Sequence, residues 1–195
     1  MKLVIIDYGA GNIKSIEFAF ERLGVHAVLS SNPQEIKEAD KVIFPGVGAA
    51  GAAMKKLKES GLVQLIPQLK QPVLGICLGM QLMCKHSQEN DTEGLGIFDV
   101  DVLKFDAQQV KVPQIGWNKI TDVSTPLMNS IVEGSYIYMV HSYYVPRCKD
   151  TIATSTYDLS YSAALHKDNF YGTQFHPEKS SSVGEQLLKN FLALK

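Results

Sequence analysis

Short apolar runs alternate with amphipathic segments through the first half of the chain, and this alternation restricts the fold more than any other feature. Four runs have the length and apolar character of buried strands, namely KLVIID (2–7), VHAVL (25–29), KVIFP (41–45) and PVLGI (72–76). Three neighbouring segments carry apolar residues at helical spacing, namely 11–24, 52–62 and 78–86. Strands that alternate with helices in this way predict a parallel sheet covered by helices on both faces.

The second half of the chain has a different character. Five strand-like segments follow one another closely, namely 99–105, 136–145, 151–157, 161–166 and 169–175, and a final amphipathic helix is predicted over 184–194. Close spacing favours antiparallel pairing, so we expect these strands to be added to the parallel sheet. The 195 residues fit one domain, and the sequence predicts a single α/β domain over 1–195 with a mostly parallel, doubly wound sheet.

Composition narrows the classes of function. The formal net charge is -1 and the chain has no lysine or arginine run, which argues against a nucleic-acid partner. No apolar run reaches the ~18 residues that a membrane span needs, and nothing resembles a signal peptide, so we expect a soluble cytoplasmic protein. Cys77, Cys84 and Cys148 lack the spacing of a disulfide framework, and cysteine and histidine are too scattered for a zinc site.

The turn DYGAGN (7–12) follows the first strand and opens a helix, as a dinucleotide-binding turn does. The third glycine of that pattern would stand at position 14, which is Lys14, so the pattern fails. We interpret the segment as a tight strand-to-helix turn.

The pentapeptide GICLG (75–79) places Cys77 between two glycines, where an apolar strand ends and a helix is predicted to begin. This is the pattern of a nucleophile elbow, in which a strained backbone brings the neighbouring residues too close for side chains. The elbow exposes the sulfur, the N-terminus of the next helix favours the thiolate, and the amide of Leu78 can donate into an oxyanion hole. The pentapeptide alone is equally compatible with a buried cysteine on a glycine-bounded turn.

The segment GTQFHPEKS (172–180) favours the nucleophile over the buried cysteine. In an extended segment residues two apart point the same way, so the side chains of His176 and Glu178 are expected to share a side, with Pro177 holding the spacing. A carboxylate beside an imidazole orients the ring and stabilises its protonated form, as the third member of a triad does. Alone, the segment would be a surface turn; with an elbow cysteine upstream it indicates nucleophilic catalysis.

Glycines also follow the strand before the elbow, in FPGVGAA (44–50). They allow a peptide N–H, from Val47 or Gly48, to supply the second oxyanion donor, although a plain turn would have the same sequence. His141 could line the resulting crevice or satisfy a sheet edge. Cys84 stands seven residues after Cys77, on a similar face of the predicted helix, and we expect it to pack in the core.

GICLGMQ, FHPEKS and PGVG together resemble the class I (triad) glutamine amidotransferases, and the resemblance covers essentially the whole chain. Within that family the chain is most similar to the glutaminase subunits of imidazole glycerol phosphate synthases, through IDYGAGNIKS, KVPQIGWN and YMVHSYYV. KVPQIGWN argues against another triad glutaminase, such as that of pyridoxal phosphate synthase. PGVG replaces the paired glycines common in other triad glutaminases, which leaves the identity of the second oxyanion donor open.

The resemblance implies a mechanism and a set of residues. Cys77 attacks the side-chain amide of glutamine, and His176, held by Glu178, protonates the departing ammonia before activating the water that releases glutamate. Gln81, Ser142 and Tyr143 are implied to bind the amino-acid end of the substrate. No metal or organic cofactor is implied. A non-catalytic relative that kept the fold is the alternative, against which the intact triad argues.

The family passes its ammonia to a (β/α)8-barrel cyclase subunit, so the resemblance also implies a heterodimer. Four residues without a part in catalysis are expected to ring the cleft on the cyclase-facing side: Asn12, Trp117, Tyr138 and Lys179. Trp117 is the only tryptophan and our choice of anchor, because tryptophan is enriched among binding hot spots. Lys179, in an extended segment, should point away from the side that carries His176 and Glu178. Each residue also has an ordinary structural explanation, such as helix capping by Asn12.

Overall fold

The structure is a computed structural model, which describes residues 1–9 and 12–195. The predicted alternation is present in its first half. The strands there are β1 (Leu3–Ile6), β2 (Ala27–Ser30), β3 (Lys41–Phe44) and β4 (Val73–Ile76). The helices are α1 (Ile13–Arg22), α2 (Pro33–Lys37), α3 (Ala50–Glu59), α4 (Leu62–Leu65) and α5 (Leu78–Leu82), with a 3-10 turn at Ile66–Gln68. Ala10 and Gly11, which fall in the predicted turn 7–12 and at the start of the predicted helix 11–24, lie outside the described residues.

The second half is mostly strands. They are β5 (Cys84–Ser87), β6 (Thr92–Glu93), β7 (Phe98–Lys104), β8 (Gln114–Lys119), β9 (Tyr136–His141), β10 (Tyr143–Tyr144), β11 (Thr151–Tyr157), β12 (Leu159–Lys167) and β13 (Phe170–Thr173). Two 3-10 turns, Pro126–Met128 and Pro177–Lys179, and the helix α6 (Ser181–Ala193) complete the described elements.

A seven-stranded sheet organises the molecule, with the order β11-β12-β13-β4-β3-β1-β2. The strands β2, β1, β3, β4 and β13 run parallel, and β12 and β11 add antiparallel pairs at one edge. A mostly parallel sheet with antiparallel strands in the C-terminal half is therefore confirmed.

Successive residues of β1 serve opposite faces of this sheet, as a doubly wound fold requires. Leu3 and Ile5 are fully buried against α1 and α6, in a cluster that includes Phe20 and Phe191. The intervening residues Val4 and Ile6 are buried in a second cluster with α2, α3 and α4. Burial on both faces explains why these strands are continuous apolar runs in the sequence.

The expectation that all five later segments join this sheet is wrong. Segment 99–105 supplies β7, which belongs to a four-stranded sheet of order β10-β7-β5-β6. Segment 136–145 divides at Ser142, so that β9 pairs with β8 in a separate two-stranded sheet while β10 pairs with β7. An apolar pattern reports which face of a strand is buried and carries no information about its partner.

The predicted helix 78–86 is also wrong in its second half, because α5 ends at Leu82 and β5 begins at Cys84. The carbonyl of Leu82 accepts from the amide of Leu95, and that of Met83 accepts from the amides of Ile97 and Phe98. Long-range partners thus take the carbonyls near the end of the helix. Cys84 is fully buried, as expected, but from a strand and not from a helical face.

The C-terminal end of the chain is attached to the sheet at β3. The ammonium group of Lys41 donates to the carbonyl of Leu194 at 2.5 Å and lies 5.7 Å from the ring centroid of Phe191. In residues 1–9 and 12–195 no helix is both long and apolar enough to cross a membrane.

Candidate active site

The carboxyl ends of β3, β4 and β13 meet at a cavity of about 360 Å³. Adjacent pairing in the sheet produces this convergence, since Phe44 pairs with Gly75 and Ile76 pairs with Thr173. The residue that follows β4 is Cys77, and His176 stands three residues beyond the end of β13; both line the cavity. Crevices at the carboxyl ends of parallel strands are the usual sites in sheets of this kind.

Cys77 lies on a strained turn between β4 and α5. Its backbone has φ 53° and ψ −109°, a conformation that a residue with a side chain rarely adopts. The flanking glycines explain how the turn is possible. A Cβ on Gly79 would overlap the carbonyl oxygen of Phe44, and a Cβ on Gly75 would lie 2.8 Å from the amide nitrogen of Met80. The segment is thus an elbow that holds a cysteine at the edge of the cavity, but Cys77 is only 8% exposed, so the expectation of an exposed sulfur is wrong.

His176 and Glu178 are brought together as the sequence analysis expects, although by a different backbone. His176 has an extended backbone, and a 3-10 turn over Pro177–Lys179 follows it. Proline at the first position of this turn has a φ already suited to it. The ring Nδ1 of His176 lies 2.8 Å from Oε1 of Glu178, and both side chains are more than nine-tenths buried.

The imidazole of His176 and the elbow cysteine line the same cavity. Burial alone would lower the pKa of His176, but hydrogen bonds and charge interactions with Cys77 and Glu178 outweigh it and raise the pKa to about 10. The ring is therefore an imidazolium near neutral pH. An imidazolium beside a thiol stabilises the thiolate, which is the nucleophilic form of cysteine.

The segment 45–48 approaches the elbow closely enough to face the same cavity. A Cβ on Gly46 would lie 2.7 Å from the amide nitrogen of Gly79, so only glycine allows this approach. Gly48 has φ 92°, in the region that favours glycine. Val47, Gly48 and Leu78, the three residues predicted for an oxyanion hole, all line the cavity together with Cys77.

The residues predicted to bind substrate line the same cavity: Gln81, Ser142 and Tyr143. Gln81 is connected to the protein on two sides, because its Nε2 lies 2.9 Å from both the carbonyl of Tyr143 and Oε1 of Gln174. Nε2 of Gln174 in turn lies 3.9 Å from Sγ of Cys77. Gln174 is fully buried, and no sequence feature marks it as part of the site.

Two further polar residues belong to the cavity wall. Glu89 lines it and accepts a 2.8 Å hydrogen bond from the amide of Ala50; no sequence signal points to it, since it follows a segment predicted as helix. His141 also lines the cavity, which is the first of its two predicted alternatives. Burial lowers the pKa of His141 to about 4 despite a hydrogen bond to the carbonyl of Tyr143 at 2.7 Å, so its ring is neutral.

The four residues predicted for a partner surface do not share one position. Lys179 lines the cavity beside His176, so the expectation that it points away is wrong; the 3-10 turn replaces the extended segment on which that expectation depended. Trp117 is 51% exposed and stands edge-on to Tyr138, with 5.7 Å between ring centroids. Asn12 is exposed before α1, and its side chain makes no capping hydrogen bond.

Comparison with protein families gives a match over almost the entire chain. A family model described as glutamine amidotransferase class-I matches residues 4–194. The chain is 54% identical to a protein named imidazole glycerol phosphate synthase subunit HisH from Bacteroides thetaiotaomicron, over 100% of both chains. It is 47% identical to the protein of the same name from Pectobacterium atrosepticum, again over 100% of both.

Solved structures resemble the fold at lower identity. A putative GMP synthase subunit from Thermoplasma acidophilum superimposes with a TM-score of 0.77 at 20% identity, over 99% of this chain and 92% of the other. A structure of PurLQS from Thermotoga maritima gives a TM-score of 0.71 at 15% identity, over 98% and 97% of the two chains. At these identities the likeness shows the fold alone.

Proposed function

The chain belongs to the class I glutamine amidotransferase family, and on that premise we propose that Cys77, His176 and Glu178 hydrolyse glutamine to glutamate and ammonia. The full-length relatives carry the name of a subunit of imidazole glycerol phosphate synthase. The chain is accordingly the glutaminase subunit of such a synthase, in histidine biosynthesis, and acts with a partner subunit.

The observation that carries the catalytic assignment is that His176, paired with Glu178, lines the same cavity as Cys77. Its ring Nδ1 lies 2.8 Å from the carboxylate of Glu178. A nucleophile, a base within reach of it and an acid that orients the base make up a triad in the sense of roles and geometry.

Acylation begins with attack of the Cys77 thiolate on the amide carbon of the glutamine side chain. The electron pair of the carbonyl bond moves to oxygen, and the amide of Leu78 with that of Val47 or Gly48 donates to the oxyanion. His176 then transfers its proton to the nitrogen as the carbon–nitrogen bond breaks. Ammonia leaves, and the products at the site are a thioester and a neutral imidazole.

Deacylation reverses the proton's direction. Neutral His176 takes a proton from water as the water oxygen attacks the thioester carbon, and the same amides stabilise the second oxyanion. Collapse of this intermediate expels the Cys77 thiolate and releases the γ-carboxyl group of glutamate. The thiolate and imidazolium are then restored, and Glu178 stabilises the imidazolium in both halves of the reaction.

The amino-acid end of the substrate meets the wall formed by Gln81, Glu89, Ser142 and Tyr143. Both amide hydrogens of Gln81 are used within the protein, so its carbonyl oxygen is the atom left to accept from the α-ammonium group. Glu89 supplies the negative charge that an ammonium group requires when it enters a partly buried site. These contacts select an α-amino acid over a simple amide.

The partner is a (β/α)8-barrel cyclase that receives the ammonia. Lys179 stands at the cavity, where it can pair with an acidic group of the barrel. Trp117 is exposed and stands edge-on to the partly buried Tyr138, so the indole is the group offered for docking. Asn12 lies after β1, at the same end of the sheet as Cys77. Ammonia passed directly to the cyclase avoids protonation in water.

The test is a reconstitution. The purified chain is assayed for ammonia release from glutamine alone, with the cyclase subunit of the same synthase, and with a control partner, the synthase subunit of pyridoxal phosphate synthase. We expect glutamine-dependent product formation only with the cyclase. Absence of ammonia release under all three conditions would remove the glutaminase assignment, and activity only with the control partner would identify a different triad glutaminase.

A further inference from the structure

Tyr8 is a buried tyrosine beside the site, and the mechanism gives it no part. It lies two residues after the end of β1 and is 6% exposed. Its hydroxyl donates a buried hydrogen bond of 2.8 Å to the carbonyl oxygen of Pro45. Pro45 is the first residue of the segment that approaches the elbow.

Packing explains the ring of Tyr8 but not its hydroxyl. The ring belongs to the hydrophobic cluster under α3 and α4, and its centroid lies 5.7 Å from that of Phe44. A phenylalanine would fill the same space. A buried hydroxyl is unfavourable unless it forms a hydrogen bond, so the bond to Pro45 is the feature that accounts for a tyrosine at this position.

The carbonyl of Pro45 belongs to the same planar peptide as the amide of Gly46, so a bond to this oxygen fixes the orientation of the whole unit. Gly46 meets the elbow on the other side, where a Cβ would lie 2.9 Å from Cβ of Leu78 and 2.7 Å from the amide nitrogen of Gly79. The peptide is thus held between the hydroxyl of Tyr8 and the backbone of α5. Val47 and Gly48, whose amides are the candidate donors, come next in the chain.

We infer that Tyr8 is a positioning residue for the oxyanion hole: its hydroxyl holds the Pro45 carbonyl so that the amide of Val47 or Gly48 faces the substrate oxygen. Tyr8 acts through the segment 45–48 and touches no reacting atom. The inference rests on the proposed function, because an oxyanion forms only if glutamine is the substrate of Cys77. Burial, and to a smaller extent the charge of Cys77, raise the pKa of Tyr8. The phenol therefore remains a neutral hydrogen-bond donor over the pH range in which the enzyme is assayed.

The experiment compares Tyr8→Phe with Tyr157→Phe. Each variant removes one tyrosine hydroxyl that donates to a backbone carbonyl at 2.8 Å; the bond of Tyr157 goes to Lys111, and neither residue lines the cavity. Glutaminase kcat and KM are measured for the wild type and both variants, alone and in complex with the cyclase subunit. The rate constant for alkylation of Cys77 by iodoacetamide measures the reactivity of the thiolate. The final extent of alkylation measures the concentration of native sites, so kcat is expressed per native site.

A further readout isolates the oxyanion hole. The γ-aldehyde analogue of glutamine reacts with the Cys77 thiolate to give a tetrahedral hemithioacetal: a carbon–sulfur bond forms, the carbonyl electron pair moves to oxygen, and that oxygen occupies the hole. We expect Tyr8→Phe to lower kcat by about tenfold to hundredfold with KM changed less than threefold, somewhat less than the loss of a whole oxyanion donor. Affinity for the aldehyde should fall by a similar factor, while the alkylation rate stays within twofold.

The outcomes separate the inference from the function on which it rests. A wild type without glutaminase activity in the complex removes the proposed function. An active wild type with kcat and aldehyde affinity unchanged in Tyr8→Phe overturns the inference alone. A fall in alkylation rate that matches the fall in kcat also overturns it, since Tyr8 would then act on the thiolate. Tyr157→Phe should match the wild type in all three measurements.

Discussion

The cavity has two walls that are built differently. One wall comes from the seven-stranded sheet and carries Cys77, His176 and the segment 45–48, each at the end of one of three adjacent parallel strands. The other wall comes from the smaller sheets and a loop, and carries Glu89, His141, Ser142 and Tyr143. The first wall positions reacting atoms through buried backbone, whereas the second presents polar groups to the rest of the substrate.

This difference suggests that one wall carries out the bond changes and the other recognises the substrate. Groups that change bonding sit where close backbone packing leaves them one position. Apart from Gln81, which lies on α5, the groups proposed to recognise the substrate sit on the smaller sheets and a loop. Substitutions in the first wall should therefore lower kcat, and substitutions in the second should raise KM.

The largest effect is expected from Cys77→Ala in the first wall. Loss of the sulfur removes the nucleophile, so glutaminase activity should fall by about 10⁴-fold or more. The melting temperature should change little, because the substitution removes one sulfur atom from a buried side chain that already borders a cavity. The complex with the cyclase should still form product from added ammonium salts. Retention of a substantial part of the glutaminase rate would contradict the assignment of the nucleophile.

His176 and Glu178 should separate proton transfer from orientation. His176→Ala removes the group that carries the proton, while Glu178→Gln removes the charge that orients and stabilises it, so the loss in kcat should be about tenfold to hundredfold smaller for Glu178→Gln. His26→Ala, at an exposed histidine, is the control and should match the wild type. Wild-type turnover in His176→Ala would exclude histidine from the mechanism.

The pH profile should report the imidazolium. Because the pKa of His176 is raised to about 10, kcat/KM should hold through mildly alkaline pH and fall as the pH rises through about 10, where the proton needed by the leaving ammonia is lost. Glu178→Gln removes a negative charge that favours the imidazolium, so the alkaline limb should move to lower pH. An alkaline limb at the same pH in both proteins would show that His176 does not control it.

The second wall is tested by Glu89→Gln, which keeps an acceptor for the amide of Ala50 but removes the charge. KM for glutamine should rise about tenfold to hundredfold, the size expected for a hydrogen bond to a charged group, with kcat changed less than threefold. Glu93→Gln, at an exposed glutamate of β6, is the control. A fall in kcat at constant KM would break the division between the two walls.

Substitutions at Trp117 and Lys179 are expected to change the rate of glutamine hydrolysis least. Trp117 lies outside both walls, and Lys179 lies beside the first. Trp117→Ala and Lys179→Ala should weaken binding of the cyclase or raise the glutamine consumed per product, while Cys77 in the free chain reacts with iodoacetamide as in the wild type. Val132→Ala, at a residue that is 73% exposed, is the control. Titration with the cyclase measures affinity and coupling together. If both are unchanged in the two variants, the partner binds elsewhere.

The same two walls differ in how well the sequence predicts them. The elbow follows from local sterics, since Gly75 and Gly79, two residues before and after Cys77, leave no room for a Cβ. The pairing of His176 with Glu178 is predicted correctly, but a 3-10 turn and not an extended segment produces it. The second wall depends on which strand pairs with which, and an apolar pattern does not record that. Glu89 is not predicted because the segment before it, predicted as helix, forms the strand β5. The expected direction of Lys179 is wrong because Pro177 begins a 3-10 turn.

Two glycines of the elbow and one that packs against it have a consequence for genetics. Gly46, Gly75 and Gly79 each leave no room for a Cβ, although none of them exchanges a proton or an electron pair with glutamine. In a bacterium that depends on this chain for histidine, a glycine-to-alanine allele at any of them should fail to support growth, just as a Cys77→Ala allele does. Added ammonium salts distinguish the two kinds of allele: they should restore growth to the cysteine allele, whose protein still folds and docks, and restore it less well to alleles that distort the elbow and the segment packed against it.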